Sequence, residues 1–246
     1  MIRVAAITGV SGGIGAATAA LFQSEGWSVA GIDRKEAPTD VTLDAFLQAD
    51  LGQAGVGEQL RSFFAGLDRV DALVNAAAMP IDSMLLDTGV ESWDEIMATN
   101  VRGTFLASIA AHARLAETGG AIVNVGSVHA YATSPGAGAY AATKGALAAL
   151  TRASAVEWAP AIRVNSVIPG AVDTEMLRSG LKRLSSEAGA PASRASIAAR
   201  TPLQRIGRPG EIAQAVLFLA DGNRSSFITG ESLVVDGGAL VRLSIE

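Results

Sequence analysis

Residues 7–15, ITGVSGGIG, constrain this chain more than any other stretch of it. The apolar run at 4–7 has the composition of a buried strand. Beyond the glycines, Ile14, Ala17, Thr18, Leu21 and Phe22 recur at helical spacing, so the segment reads strand, glycine turn, helix. Gly9, Gly13 and Gly15 accept positive φ and leave no Cβ between backbone and ligand. Bare amides at a helix start, where the dipole favours negative charge, can seat a phosphate. The same residues would also serve a tight connection with no ligand.

Further β-rich runs lie at 29–32, 73–74, 122–125, 162–168 and 233–235, with a weaker one at 46–49. Helical patterns stand between them: Val56, Leu60, Phe63, Phe64, Leu67; Trp93, Ile96, Met97, Val101, Phe105, Ile109; Leu147, Leu150, Ser154, Trp158; and Ile212, Val216, Leu219. Strand and helix alternate along the whole length. That pattern predicts an α/β fold, a doubly wound parallel sheet with helices on both faces in three α/β/α layers. In such a fold ligands gather at the carboxyl ends of the strands, where the strand order reverses.

No Pro/Gly/Ser linker or charge block divides the 246 residues, so residues 1–246 read as one domain. Apolar residues make up 49%, which excludes disorder, and a net charge of −5 without a basic run argues against nucleic acid or an anionic membrane as partner. The absence of cysteine removes disulfides and thiolate metal sites and fits a reducing compartment; no metal centre is expected. Residues 4–24 carry no charge and follow Arg3, but glycines and hydroxyl residues interrupt them and the helical period begins only after the turn. Neither a signal peptide nor a membrane span is therefore read there, and a soluble cytoplasmic protein is expected.

The polar residues at the strand ends come next. Asp33 lies 24 residues beyond Gly9, where a carboxylate can accept both hydroxyls of an adenosine ribose and would repel a 2′-phosphate. It would serve equally as a turn or cap residue. Asp50, in Asp50-Leu51-Gly52-Gln53, fits either an adenine contact or a capping box for the helix beginning near Val56. Asn75-Ala76-Ala77-Ala78 puts small residues at the fourth strand's end, open to a flat ring. Asn100 falls on the stripe of Trp93, Ile96, Met97, Val101, Phe105 and Ile109, which turns an amide toward the core. A buried amide must be satisfied, by backbone at a local kink or by an ordered water.

The densest cluster runs from Ser127 to Lys144. The fifth strand delivers Ser127, a loop rich in Gly, Pro, Ser and Thr follows, and a helix presents Tyr140 and Lys144 at i, i+4 on one face. A free tyrosine has a pKa of about 10, too high for proton exchange near neutrality. A neighbouring ammonium stabilises phenolate, so Tyr140 could protonate a carbonyl oxygen held by Ser127. His129 and Tyr131, just past Ser127, are candidate substrate contacts.

Thr8-Gly9-x-x-x-Gly13-x-Gly15, Asp33, Asn75-Ala-Ala-Ala, Asn100, Ser127, Tyr140-x-x-x-Lys144 and Pro169-Gly170 stand in the order and at the spacings of the short-chain dehydrogenase/reductase family, which the chain resembles from Val4 to Gly238. The resemblance implies a Rossmann-type domain with a seven-stranded sheet, NAD(P)-dependent and usually tetrameric. It implies catalytic roles for Asn100, Ser127, Tyr140 and Lys144. Tyr140 would be the general acid/base, Lys144 would bind the nicotinamide ribose, Ser127 would orient the substrate oxygen, and Asn100 would anchor a water in a relay through Lys144. Gly9, Gly13, Ile14 and Gly15 would wrap the pyrophosphate, Asp33 would select the ribose, Asp50 and Leu51 would flank adenine, and Asn75 and Ala77 would line the adenosine side. Ile168, Val172 and Thr174 would meet the carboxamide end. The helices carrying Asn100 and Lys144 would form a dimer face, with Ala141, Gly145, Ala148 and Ala149 permitting close packing. The family's Asn-Asn-Ala-Gly is altered here at Ala76 and Ala78. Gly12, where NADP users often carry a basic residue, agrees with Asp33 in favouring NAD(H) over NADP(H).

Residues 175–208 are expected to form a lid, with Thr174 as a helix cap. Arg178, Lys182, Arg183, Arg194, Arg200, Arg205 and Arg208 make it basic against Glu175 and Glu187, in a chain that is net acidic. The reaction expected is hydride transfer between nicotinamide and a small-molecule secondary alcohol or ketone. By the likeness of the Ser-Val-His-Ala loop, a sugar or polyol dehydrogenase comes first. An anionic 3-oxoacyl or hydroxy-acid substrate is the alternative, which a basic lid would suit. A non-catalytic NAD-binding regulator or scaffold is the alternative of another class.

Overall fold

The runs of small and β-branched residues form strands β1 (Val4–Thr8), β2 (Ser28–Asp33), β3 (Ala45–Gln48), β4 (Ala72–Asn75), β5 (Ala121–Val125), β6 (Arg163–Pro169) and β7 (Ser232–Val235). The computed structural model describes residues 1–80, 83–187 and 193–241, the side chains of 183–187 excepted. All neighbouring strands are parallel, in the order β3-β2-β1-β4-β5-β6-β7. The order reverses between β1 and β4, so a cleft opens at their carboxyl ends. The expected seven-stranded Rossmann-type sheet is the one found.

Alternation along each strand sends side chains to two cores. Ile7, Val29, Val74, Val123 and Val167 pack under helices α1 (Gly13–Ser24) and α8 (Pro209–Ala220). Ala6, Ile32, Leu73 and Ile122 pack on the other face under α2 (Val56–Ala65), α4 (Thr104–Thr118) and α5 (Gly138–Glu157). Both faces are thereby covered, which is why the strands read as apolar runs and not as alternating ones.

Two expectations are corrected. The helix predicted across residues 93–109 is broken into α3 (Val90–Met97), a π-helical turn at Ala98–Gly103, and α4. Its apolar stripe faces the core only in part: Ile96 is buried and Met97 and Val101 half-buried, but Trp93, Phe105 and Ile109 are exposed, and Asn100, Gly103, Thr104, Ala107, Ser108 and Ala111 make up the rest of the buried side. The buried side is made of small residues that let helix and sheet approach, so an apolar count chose the neighbouring stripe. Asn100 is in the core all the same. The capping box at Asp50 is also absent, because α2 starts at Val56 behind Gly55, whose φ of 85° makes it the turn residue. The Asp50 carboxylate instead accepts the amide of Gly52 at 2.8 Å, two residues on.

The expected lid contains α6 (Glu175–Glu187) and α7 (Arg194–Arg200). Residues 188–192 and the side chains of Arg183 and Glu187 lie outside the described residues. Thr174 caps α6 as expected, its Oγ1 accepting the Leu177 amide at 3.4 Å. A short α9 (Gly222–Ser225) follows α8. No helix among the described residues is long and apolar enough to cross a membrane.

Candidate active site

The glycine turn is shaped by close backbone approach. Gly9 has φ 69°, its amide donates to the Ile32 carbonyl at 2.8 Å, and a Cβ built on it would lie 2.7 Å from the Ala77 backbone. At Gly15 a Cβ would run into the carbonyl of Gly9. No larger residue fits either position without moving the strand from the helix. Gly12, the N-cap of α1, is extended and supplies no side-chain cap, and the first turn holds no acidic residue. The helix start is thus left to an external anion, and the turn fits a dinucleotide diphosphate.

Around the turn stand the other residues expected at a cofactor. Asp33 Oδ2 accepts the Ser11 amide and Oδ1 the Lys35 amide, both at 2.9 Å, which fixes the carboxylate at the mouth of the turn. Both readings of Asp33, turn residue and ribose-facing carboxylate, are compatible with this position. Thr174 approaches so closely that a Cβ on Gly13 would lie 2.9 Å from its Cγ2. Val172, just before it, is buried and bridges Gly207. Leu51 packs against the π turn, where a Cβ on Gly103 would lie 2.7 Å from its own. Asn75 is placed differently from expectation. Its Nδ2 donates to Asn124 Oδ1 (2.9 Å) and to Ser108 Oγ (3.1 Å), so its side chain lies in the layer between sheet and helices. What lies along Gly9 is the backbone of Ala76 and Ala77, the latter donating its amide to Thr8 Oγ1 at 3.2 Å.

Ser127, Tyr140 and Lys144 converge at the end of β5. Ser127 is buried in an extended conformation, and its Oγ accepts the His129 amide at 3.2 Å as the cap of a 3₁₀ turn. Lys144 is wholly buried and its Nζ donates to the Val125 carbonyl at 2.9 Å. Desolvation pushes its pKa down to about 8. The same ammonium lies 5.4 Å from the Tyr140 ring centroid, while the His129 ring meets Tyr140 edge-on with centroids 5.6 Å apart. Tyr131 is exposed.

Asn100 answers the question its burial raised. Its Oδ1 accepts the Met79 amide at 2.8 Å, and its Nδ2 donates to the Met79 carbonyl at 3.0 Å and to Thr143 Oγ1 at 3.2 Å. Thr143 Oγ1 in turn donates to the Tyr140 carbonyl at 2.7 Å. The amide is therefore satisfied on backbone at a π turn, a geometry that recurs at functional sites. Sequence reasoning passed over Thr143 and Ser11, and took Thr8 only as part of the glycine motif; as lone hydroxyl residues they carry no signal until their partners are placed.

With this geometry in place, the relatives are informative. A family profile described as "Enoyl-(Acyl carrier protein) reductase" matches residues 9–239. The chain belongs to the short-chain dehydrogenase/reductase family. It is 36% identical to the short-chain reductase protein NovJ of Streptomyces niveus, over 96% of this chain and 93% of that one. It is 42% identical to the cyclopentanol dehydrogenase of Comamonas testosteroni over 72% of this chain and 68% of the relative. The aldohexose dehydrogenase of Thermoplasma acidophilum superposes with a TM-score of 0.90 at 31% identity, covering 100% of this chain and 96% of that one. As a short-chain dehydrogenase/reductase the protein is an oxidoreductase of CH–OH groups, in a family that binds NAD(P)(H).

Lys144 gives a testable pH dependence. Below about 8 both folded and unfolded chains hold its proton and the cost of burying the charge is present in full. Between about 8 and the ordinary 10.5 only the unfolded chain keeps the proton, so folding stability climbs with pH, by at most about 1.4 kcal/mol per unit. Urea denaturation across this range should show the wild type gaining on Lys144→Met as pH rises. A constant difference between the two would contradict a buried ammonium.

Proposed function

We propose that this protein is a cytoplasmic, homotetrameric dehydrogenase that moves hydride between a secondary alcohol or ketone and NAD(H), with Tyr140 as general acid/base. The observation that carries this is the buried Lys144 ammonium beside the Tyr140 ring at the end of β5, next to Ser127. An ammonium beside a phenol stabilises the phenolate that must form when the tyrosine gives up its proton. Ser127 Oγ, held at the strand end, hydrogen-bonds the substrate oxygen and keeps it near the phenol. In alcohol oxidation the hydroxyl proton passes to Tyr140 and leaves by way of Lys144 and a water near Asn100. Nicotinamide, when bound, accepts the hydride. Asn100 also positions, since it ties the loop at Met79 to Thr143 on the helix that carries Tyr140 and Lys144.

Gly9, Gly13, Ile14 and Gly15 would hold the diphosphate, Thr174 and Val172 the carboxamide end, and Asp50 and Leu51 the adenine. Asp33, its carboxylate held by the amides of Ser11 and Lys35, would repel a 2′-phosphate on the adenosine ribose, which supports NAD(H) over NADP(H). The tetramer is supported by the outward stripe of Trp93, Phe105 and Ile109 and by a groove of about 840 Å³ beside it, lined by Met97, Val101, Ala149 and Leu150. The likenesses span a sugar and an alicyclic alcohol, so the choice of substrate falls to the cleft's own side chains.

Tyr140→Phe should leave the NAD dissociation constant near wild type and lower kcat by at least about 10³-fold; unchanged turnover would remove the tyrosine from the chemistry. Titration of Asp33→Ala with both cofactors should show the NAD preference narrowed about tenfold or more. Phe105→Glu should shift the sedimentation coefficient to a smaller species, and a variant that sediments like the wild type would exclude this stripe from the assembly.

A further inference from the structure

Near the reaction end the side chains of Asp173, Glu211, Ser83, Thr88 and Thr133 are each engaged within the protein. Asp173 accepts Arg178 Nε at 3.0 Å and both terminal nitrogens of Arg194, one at 2.7 Å, which hold its carboxyl down at about 2. Glu211 is likewise lowered to about 2 by the Arg205 guanidinium, at 2.7 and 2.8 Å, and by the Arg208 amide. Ser83 Oγ and Thr88 Oγ1 both donate to the carbonyl of Met84, at 3.2 and 2.9 Å, and Thr133 Oγ1 pairs with His129 Nδ1 at 2.9 Å. An anion seated on Arg178, Arg194 or Arg205 would have to displace Asp173 or Glu211 from it. A polyol would have to pull Ser83 or Thr88 off the backbone to use its proton.

Between Ser83 and Thr88 the open surface is apolar. Met84, Leu85 and Leu86 are 54%, 63% and 100% exposed. The turn that carries them is fixed to the loop before α5 by the Ser83 amide, which donates to the Gly136 carbonyl at 2.9 Å. Leu85 docks on the first residue of α5, where a Cβ on Gly138 would lie 2.7 Å from its Cδ2 and Cγ. Gly138 precedes Tyr140 by two positions on that helix. One leucine thus touches the helix start that delivers the phenol and still offers more than half of its surface.

We propose that the substrate is a neutral secondary alcohol or ketone with an apolar body, alicyclic or branched aliphatic, and that Leu85 is the side chain that selects it. This rests on Tyr140 being the acid/base. An apolar ring laid on Leu85 removes exposed hydrocarbon from water on both sides, whereas a sugar hydroxyl there loses water and finds a methyl group. Shortening Leu85 enlarges the seat without touching Ser127, Tyr140 or Lys144.

Initial rates with NAD are measured for cyclohexanol, 4-methylcyclohexanol, sorbitol and 3-hydroxybutyrate, on the wild type and on Leu85→Ala and Leu85→Asn. The wild type should favour cyclohexanol over sorbitol and 3-hydroxybutyrate by about 100-fold in kcat/KM. Leu85→Ala should move the preference toward the methylated ring by about fivefold, and Leu85→Asn should raise KM for both rings about tenfold with kcat and NAD affinity nearly unchanged. An unaltered ring preference in Leu85→Ala, the result a merely structural leucine would give, overturns its selecting role, and this arm stands even if Leu85→Asn does not fold. Better turnover of sorbitol or 3-hydroxybutyrate, still lost in Tyr140→Phe, overturns the apolar substrate and leaves the proposed chemistry standing. No turnover of any of these alcohols, nor of cyclohexanone with NADH, overturns both.

Discussion

The reaction end of this protein depends on one hydrogen bond from a buried cation. Lys144 brings an ammonium into the protein interior, and the carbonyl of Val125 accepts one of its three protons. Burial of a charge with incomplete solvation is costly, and the lowered pKa is the visible sign of it. The cost is tolerable because Val125 ends a central strand, flanked by β4 and β6, and cannot drift from the amine. In the proposed complex the ribose hydroxyls of the cofactor would accept from the same ammonium and would stabilise the bound protein.

What holds Val125 and its neighbours is a row of polar side chains that runs through the sheet's interior. In register, Thr8 pairs with Asn75, Asn75 with Asn124, and Asn124 with Ser166. Asn75 binds Ser108 on α4, Asn124 Nδ2 donates to Thr151 Oγ1 on α5 at 2.9 Å, and Ser166 donates to the Asn124 carbonyl at 2.9 Å. Apolar residues in these places would pack as well but would accept many registers. A buried network of this kind favours one register even though Asn75 Oδ1 is left without a partner, and that register sets β5 against α5, where Lys144 reaches the Val125 carbonyl.

The sequence was legible where one residue type has one physical use. Glycines 9 and 15 could be read from the chain because close backbone approach admits nothing else, and the strands because two covered faces leave an unbroken apolar run. Tyr140 and Lys144 were readable as a pair because helical geometry alone sets their spacing. Thr174 as a cap followed from its place before a helix. Less legible was whatever depends on a partner far along the chain. Asp50 looks like a cap until Gly55 takes the turn, and Asn75 looks like a cleft residue until Ser108 and Asn124 claim its amide. Residues 175–208 read as a basic surface until Asp173 and Glu211 are seen to hold four of their arginines. The stripe of Trp93, Phe105 and Ile109 misled for another reason: its apolar side chains face outward, while the true core face is built from glycine, alanine and hydroxyl residues.

That face of small residues also explains why a π turn sits where it does. Within Ala98–Gly103, Thr99 approaches Gly52 so closely that a Cβ there would lie 2.6 Å from its Oγ1, and Gly103 lies against Leu51, both beside Asp50. Asn100, from the same turn, reaches the opposite way to Met79 and to Thr143 on α5. A regular α-helix repeats its faces every 3.6 residues and gives adjacent residues fixed directions about 100° apart; widening one turn alters those directions locally. The irregular turn lets one short segment pack on the strand-end loop at Asp50 and also hold the helix that bears the phenol. Neither end of the cleft can then shift without straining the other, so the spacing between the two ends is set by the fold before any ligand arrives.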